Sequence, residues 1–215
     1  MSIQSVLHFY PGGKLSYSIP RDSLIHKRIM SNNFSESYRQ SLADELCKTI
    51  LEGNSEHLQQ LVDWGVMPSP IYMEDAIKQK NMKMIEIIYF NTISIIDDWI
   101  NYIGMFGNIK VFNFFLDTGY IHDEMQYRKL FITTSEFGNL ELLEYILYKM
   151  EYNPPQHIIQ CTVNMLEVKF IFKKDPKIYK MIKWFMEHDI NFNKKCQDEI
   201  KLYETTQEMQ KMTVN

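Results

Sequence analysis

Four residues near the N-terminus, Pro11, Gly12, Gly13 and Lys14, have the types that could bind a phosphate group. A phosphate-binding loop needs two glycines at a fixed, longer spacing, and a serine or threonine directly after its lysine. This segment lacks that glycine spacing, and Leu15 follows the lysine. The four residues therefore predict a tight turn rather than a nucleotide site.

The histidines and acidic residues show no arrangement that is typical of a metal site. Six histidines are scattered along the chain without a pair at helical spacing. His122, Asp123 and Glu124 could bind a metal only with help from distant residues. Because Asp123 directly precedes a predicted helix, we expect its side chain to cap that helix, and we predict no metal or cofactor site.

The cysteines and nucleophile motifs are equally uninformative about catalysis. Cys47, Cys161 and Cys196 are odd in number, and none belongs to a Cys-x-x-Cys pair. This pattern indicates reduced thiols rather than a disulfide framework or a zinc site. No Gly-x-Ser-x-Gly segment is present either. The sequence thus predicts no catalytic residues.

An alternative stays open, because an active site assembled from distant residues leaves no local motif. In that case the chain is an enzyme or a nucleotide-binding protein whose site is built on the N-terminal segment. We would then expect a pocket with converging polar groups near His8, His26 and Arg28.

Composition and charge narrow the class of protein. The chain has 215 residues, of which 45% are hydrophobic and 23% are charged, as in a domain with a sizeable core. The formal net charge is −4, and no run of lysine or arginine exceeds two residues, so we expect no nucleic-acid partner. No long apolar run and no signal-peptide pattern occurs. We therefore expect no membrane partner and a location in the cytoplasm or nucleus.

A repeated junction organises the rest of the chain. Gly53-Asn54, Gly107-Asn108 and Gly138-Asn139 share one dipeptide, and Lys80-Asn81 replaces it in the second copy. The four asparagines are separated by 27, 27 and 31 residues, and a degenerate fifth copy aligns 39 residues further on, at Ile178. Such a period holds two short helices and their turns, so each copy is predicted to be a helical hairpin.

Each junction precedes three apolar positions at the spacing i, i+3, i+4, which is one face of an α-helix. The four clear copies supply Leu58, Leu61 and Val62; Ile85, Ile88 and Tyr89; Phe112, Phe115 and Leu116; and Leu143, Ile146 and Leu147. The fifth copy supplies Ile182, Phe185 and Met186. We call the equivalent positions of successive copies the apolar columns. We predict that neighbouring hairpins pack through these columns, with the helices at 109–118 and 140–150 side by side.

These patterns predict an all-α fold with a short N-terminal extension. Residues 1–40 are expected to form a β-hairpin and a capping segment, and residues 191–215 a polar C-terminal helix or tail with little to bury. Residues 41–190 form the array. Its helices are predicted at 38–52 and 55–64, 72–80 and 82–91, 97–106 and 109–118, 125–137 and 140–150, and 156–174 and 177–188.

The copies resemble ankyrin repeats. Residues 105–119, MFGNIKVFNFFLDTG, are similar to the junction and second helix of such a repeat, and similar segments begin at Leu51 and Ser135. The aromatic residue before Gly-Asn, at Phe106 and Phe137, is similar to ankyrin proteins of large DNA viruses. The family's Thr-Pro-Leu-His start is absent, and its usual period is longer, about 33 residues.

The resemblance covers about residues 41–190 and implies an ankyrin-like solenoid of about five helical hairpins. The β-hairpin fingers that connect ankyrin repeats are expected to be truncated here. An irregular stack of the HEAT type is the structural alternative. In resembling proteins, the two residues before Gly-Asn lie at the rim of a concave surface and contact a target protein. Carried over to this chain, the partner-binding residues are Lys78, Gln79, Met105, Phe106, Glu136 and Phe137, with Leu51 and Glu52 in the first copy.

The implied function is a non-catalytic protein-protein interaction module. If the source is viral, the analogy suggests that it binds and inhibits or redirects a host protein. For Phe106 and Phe137 a second interpretation stays open, in which the two rings stack on each other inside the core.

The column assignment makes an energetic prediction. Truncating Leu143 or Phe112 to alanine should lower the free energy of unfolding by about 2–5 kcal/mol, because each side chain packs against neighbouring hairpins and its loss leaves a cavity. Urea unfolding curves measure the change. Curves within about 0.5 kcal/mol of the parent for both variants would refute the assignment.

Overall fold

The computed structural model describes residues 5–9, 15–20, 36–63, 66–92 and 94–213. Two strands, β1 (Ser5–Phe9) and β2 (Leu15–Pro20), pair antiparallel with Ser5 opposite Pro20, and a third strand, β3 (Met67–Pro68), pairs with β2. The turn expected at Pro11-Gly12-Gly13 and the segment at 21–35 lie outside the described residues.

The rest of the described chain is mostly helical, which confirms the predicted helical class. A single 3₁₀ turn covers Pro70–Tyr72. The helices are α1 (Glu36–Leu51), α2 (Ser55–Asp63), α3 (Met73–Lys78), α4 (Met82–Asn91), α5 (Trp99–Phe106), α6 (Ile109–Asp117), α7 (Glu124–Glu136), α8 (Leu140–Glu144, continued by a π-helical turn at Tyr145–Lys149), α9 (Gln156–Lys173), α10 (Pro176–Glu187) and α11 (Lys194–Thr213).

The chain divides into two compact units, residues 1–102 and 103–215. Each unit contains consecutive helical hairpins, joined at the junctions that the sequence marks. The division predicted from the sequence, at residues 40 and 190, follows the repeats rather than compactness and stays a prediction.

The junction has a defined backbone geometry. Gly53, Lys80 and Gly138 have positive φ angles of 71°, 55° and 69°, which end the preceding helix in a left-handed cap. At each of them the following asparagine N–H donates to a carbonyl five residues back, as Asn54 does to Thr49 at 3.0 Å. Glycine adopts this conformation without steric cost, which explains the glycines at positions 53 and 138. Gly107 does not have a positive φ, and a Cβ atom there would clash with the Ile103 carbonyl oxygen.

The junction asparagines also start the next helix. The side-chain oxygens of Asn54, Asn81 and Asn108 accept hydrogen bonds from the N–H groups three residues later, at 3.0, 3.2 and 3.0 Å. One residue therefore lies between two helix ends and satisfies a donor of the helix that follows it.

Two junction asparagines reach back to the preceding hairpin: Asn81, which also caps a helix, and Asn139, whose side chain makes no cap hydrogen bond. In the first unit, Asn81 Nδ2 donates to the carbonyl of Gly53 at 2.8 Å. In the second unit, Asn139 Nδ2 donates to the carbonyls of Gly107 and Gly104, at 2.9 and 3.1 Å. These bonds place successive junctions next to each other.

The apolar columns form the core as predicted. The first two positions of every clear copy have zero exposure, whereas the third is only partly buried. In the second unit, the Phe112 ring lies 5.8 Å from the Tyr145 ring, and the Tyr145 hydroxyl donates to Asn113 at 3.1 Å. The helices at 109–118 and 140–150 are therefore in contact, as the sequence predicts.

The fifth copy starts earlier than the alignment at Ile178 places it. Lys174 has a φ angle of 51°, and the Asp175 side chain accepts from the N–H of Lys177 at 2.8 Å, so α10 begins at Pro176. Lys174-Asp175 is thus the fifth junction. The sequence does not mark this junction, because neither residue matches Gly-Asn and the predicted anchor Ile178 lies three residues further on.

The C-terminal helix, α11, buries more side chains against the rest of the second unit than its polar composition suggests. Cys196 and Ile200 on α11 are 0% and 3% exposed, and the Tyr203 ring lies 5.6 Å from that of Phe170 on α9. The spacing of these three positions on α11 is one helical face. The expectation that this segment has little to bury is therefore wrong for its first half.

Gly104 lies inside α5, and a substitution there tests how closely α5 packs against α7 in the second unit. A Cβ atom on Gly104 would lie 2.8 Å from the Thr133 Cβ and 3.3 Å from the Thr134 backbone nitrogen on α7. In an exposed helix Gly→Ala stabilises by about 0.5–1 kcal/mol, but overpacking costs about 1–3 kcal/mol. We expect Gly104→Ala to lower the urea midpoint. A midpoint at or above the parent value would contradict the close approach of α5 and α7.

Candidate functional site

The predicted partner-binding residues all lie at the ends of the first helices of hairpins, directly before a junction. In the first unit, Lys78 is the last residue of α3 and forms an ion pair with Glu74 at 2.5 Å. The hydrogen bond to Glu74 is the main cause that raises the pKa of Lys78. Lys78 is exposed and remains at the surface of the junction.

Gln79 has a structural role that the sequence did not reveal. Its side-chain amide donates to the carbonyl of Ile50 at 2.8 Å, and Gly53 lies against its side-chain oxygen. The Ile50 carbonyl, in the last turn of α1, also accepts from the Gly53 N–H at 3.1 Å, so the Gln79 amide is its second donor. Gln79 therefore links two hairpins of the first unit as well as lying at their surface.

The structure brings the other four predicted residues together in the second unit. Met105 and Phe106 end α5, Glu136 ends α7, and Phe137 follows it. All four are partly buried. Because Asn139 bonds to the carbonyl of Gly107, the two junctions that follow these pairs are neighbours.

Glu136 and Phe137 also contact the next hairpin through one lysine. Lys169 on α9 forms an ion pair with the Glu136 carboxylate at 2.9 Å and donates to its backbone carbonyl at 3.1 Å. The same ammonium lies 4.5 Å from the centre of the Phe137 ring, within the range of a cation–π contact. This lysine covers part of both residues.

Sequence analysis missed the most exposed aromatic side chain at a junction. Phe172 and Lys173 occupy the two positions before Lys174-Asp175, the fifth junction. The Phe172 side chain is 81% exposed, and Val168, one turn earlier on α9, is 56% exposed. The first copy shows the same feature, because Leu51 is 63% exposed. The Lys80-Asn81 junction was the signal that could have identified Lys174-Asp175.

We call the set of residues that directly precede the five junctions the junction rim. It consists of Leu51 and Glu52, Lys78 and Gln79, Met105 and Phe106, Glu136 and Phe137, and Phe172 and Lys173. Apolar side chains at exposed positions are informative here, because aromatic residues and methionine are enriched in protein interfaces.

The residues considered for metal binding have structural roles. Asp123 accepts from the N–H of Gln126 at 2.8 Å, and the Gln126 side chain accepts in return from the N–H of Asp123, which forms a capping box. Glu124 pairs with Arg128 at 2.6 Å. Among the described residues, no group of three or more histidine, cysteine or acidic side chains could hold a metal ion.

The cysteines are free thiols in three environments: Cys47 is partly buried, Cys161 is exposed and Cys196 is buried. Burial raises the pKa of the Cys196 thiol to about 11, and the nearby Glu167 carboxylate acts in the same direction. This thiol is therefore protonated near neutral pH and is a poor nucleophile.

The alternative site on the N-terminal segment lies where side chains are not described. His26, Arg28 and the segment Pro11 to Lys14 are outside the described residues, and for His8 only the strand is described. The hypothesis of an enzyme or nucleotide-binding protein therefore stays untested.

No protein-family model matches the chain, and neither a curated protein nor a solved structure matches it. The resemblance to ankyrin repeats thus rests on the residues and junctions described above. In the described part of the chain, no helix is long and apolar enough to span a bilayer.

Proposed function

We propose that the chain is a non-catalytic protein-binding module, a divergent ankyrin-like stack of about five helical hairpins with an N-terminal β-hairpin. It binds another protein through the junction rim. By the viral resemblance of its repeats, that protein is a host factor met in the cytoplasm or nucleus, which the module inhibits or redirects.

The observation that carries this proposal is the exposure of Phe172. A phenylalanine that is 81% exposed at the end of a well-packed helix leaves most of its apolar surface in water. The opposite face of α9 is buried through Val163, Leu166 and Phe170, so the exposed side chain is not needed for folding. Val168, one turn earlier on the same face, is 56% exposed, and contiguous exposed apolar surface of this kind marks contact sites for other macromolecules.

The neighbouring residues have the composition of an interface. Lys173 follows Phe172, and Lys169 with Glu136 supplies charge beside the Phe137 ring. An apolar anchor surrounded by charged side chains is the usual arrangement of a protein interface. Within the second unit, three successive pairs precede junctions, and repeat arrays present such positions as one extended surface.

We expect Phe172→Ala to weaken binding of the partner by about 2 kcal/mol, or about 30-fold in affinity, because it removes an exposed anchor. The melting temperature should remain that of the parent, since the side chain buries little. The measurement is affinity capture from cells of the natural host, quantified by mass spectrometry, followed by titration of the captured protein. A combined Met105→Ala and Phe106→Ala variant should weaken the same partner.

Phe90→Ala is the matched control. Phe90 is a phenylalanine with 69% exposure on α4, away from any junction, and its removal should leave capture unchanged. Equal capture by the parent and the Phe172→Ala variant would contradict the proposed rim. A variant that loses capture only together with its melting transition would show that Met105 and Phe106 act as core residues instead.

A further inference from the structure

The second unit contains an apolar cavity that the junction rim does not use. It has a volume of about 360 Å³, near the lower end for ligand sites, and opens to solvent beside the π-helical turn that follows α8. Its lining comes from α7, α9 and α10, from the π-helical turn, and from the loops before α9 and after α10. The apolar residues among them include Phe131, Leu147, Ile159, Phe185 and Ile190. A cavity of this size suits one large side chain rather than a whole cofactor.

Three aromatic side chains form one wall of the cavity: Tyr148, Trp184 and His188. The Trp184 and His188 rings stack with centroids 4.0 Å apart, and the Tyr148 ring stands across that of Trp184 at 6.4 Å. Trp184 is almost completely buried, whereas the Tyr148 side chain is 56% exposed. The Tyr148 ring therefore offers an aromatic surface to a ligand.

Hydrogen bonds fix this wall in place. The Tyr148 hydroxyl bonds to His188 Nε2 at 2.5 Å, and His188 Nδ1 bonds to the carbonyl of Trp184 at 2.7 Å. The indole N–H of Trp184 donates to the Glu144 carboxylate at 2.8 Å. Side chains held in this way lose little conformational entropy on binding. Tyr148 lies in the π-helical turn, a distortion that is frequent at functional sites.

The lining of the cavity contains one carboxylate. Glu151 is the only acidic or basic residue, apart from His188, among those that line it. Arg128 interacts with the lining residue Tyr152 through its charge and a side-chain hydrogen bond, and Glu124 neutralises this guanidinium in an ion pair at 2.6 Å. A carboxylate beside an apolar floor and an aromatic wall favours a cationic side chain with an apolar stem.

Two acidic residues next to this cavity also occupy unfavourable backbone positions. Glu151 and Asp189 have φ angles of 52° and 60°, whereas Gly119 occupies the equivalent cap after α6, with a φ angle of 74°. Glycine adopts such a conformation without cost, so carboxylates here are not explained by the backbone. Asp189 lies between His188 and Ile190, which both line the cavity.

We propose that this aromatic cavity accepts an arginine side chain of the partner protein. This inference rests on the proposed function and names one contact of that partner. The methylene stem lies on the apolar floor, and the guanidinium stacks on the Tyr148 ring and pairs with the Glu151 carboxylate. Arginine fits better than lysine, because a planar guanidinium can stack on an aromatic ring and bond to both oxygens of a carboxylate.

The test uses short glycine-serine peptides that carry a single arginine, lysine or citrulline. Citrulline has nearly the same shape as arginine but no charge. The readout is the indole N–H signal of Trp184 in a ¹⁵N-labelled full chain, with the signals of Trp64 and Trp99 as internal references. We expect the arginine peptide to shift the Trp184 signal saturably, with a Kd on the order of 1 mM, and citrulline to bind at least about five-fold more weakly.

Two variants locate the contact. Glu151→Gln and Tyr148→Ala should each weaken arginine binding about five-fold, because one removes the charge and the other the exposed ring. Glu141→Gln is the control, since Glu141 is an exposed acid on α8 that does not line the cavity. Unchanged melting temperatures establish that the variants fold.

Three results would overturn the inference. They are an unshifted Trp184 signal, equal binding of the arginine and citrulline peptides, and arginine binding that Glu151→Gln leaves unchanged. If the peptide result holds, capture of the partner should also weaken in Tyr148→Ala, and unchanged capture would refute the assignment to that partner. Failure of the proposed function is distinguishable from failure of this inference. It appears as unchanged capture of the partner by Phe172→Ala, independently of the peptide titrations.

Discussion

The packing of successive hairpins depends on the side-chain amide of the junction asparagine. The oxygen of Asn81 caps the helix that follows, while its nitrogen holds the carbonyl of Gly53 in the preceding hairpin. Asn139 makes the backward contact twice, to Gly107 and Gly104. The Gly53 carbonyl also accepts from the Ser55 N–H at 3.1 Å. Replacing the Asn81 amide by a carboxylate therefore loses the second hydrogen bond of this carbonyl and sets two oxygens against each other, which costs about 1–3 kcal/mol. At Asn81 one side chain thus sets both the start of a helix and its position against its neighbour, whereas Asn139 makes only the backward contact.

Two surfaces follow from this arrangement. Since the junctions fix where the first helices end, the residues just before them recur at equivalent positions, and Phe172 is the most exposed of the aromatic residues there. The cavity lies instead at the ends of second helices, where Tyr148 and His188 meet. A partner that bound both surfaces would place an apolar contact on the rim and a basic side chain in the cavity.

The sequence predicted the core well, because Leu58, Ile85, Phe112 and Leu143 share one offset from an asparagine and that offset is a helical face. It failed at the fifth junction, where a lysine adopts the left-handed conformation and an aspartate replaces the asparagine. For the candidate site, the sequence predicted which residues directly precede a junction. It did not predict which side chains of neighbouring hairpins these residues contact. The Gln79 and Lys169 bonds depend on how hairpins meet, and the cavity combines residues from separate helices.

Comparing the urea stabilities of Asn81→Asp and Asn54→Asp tests the central role of the amide most directly. Aspartate keeps the acceptor that caps the helix at either position, but at position 81 it replaces a donor to Gly53 with a carboxylate oxygen. Among the described residues, the Asn54 amide makes no hydrogen bond to another hairpin, so only its capping role is at stake. We predict that Asn81→Asp costs about 1–3 kcal/mol more than Asn54→Asp, which should lie within about 0.5 kcal/mol of the parent. Equal stabilities of the two variants would show that the hairpins are held together without the junction amide.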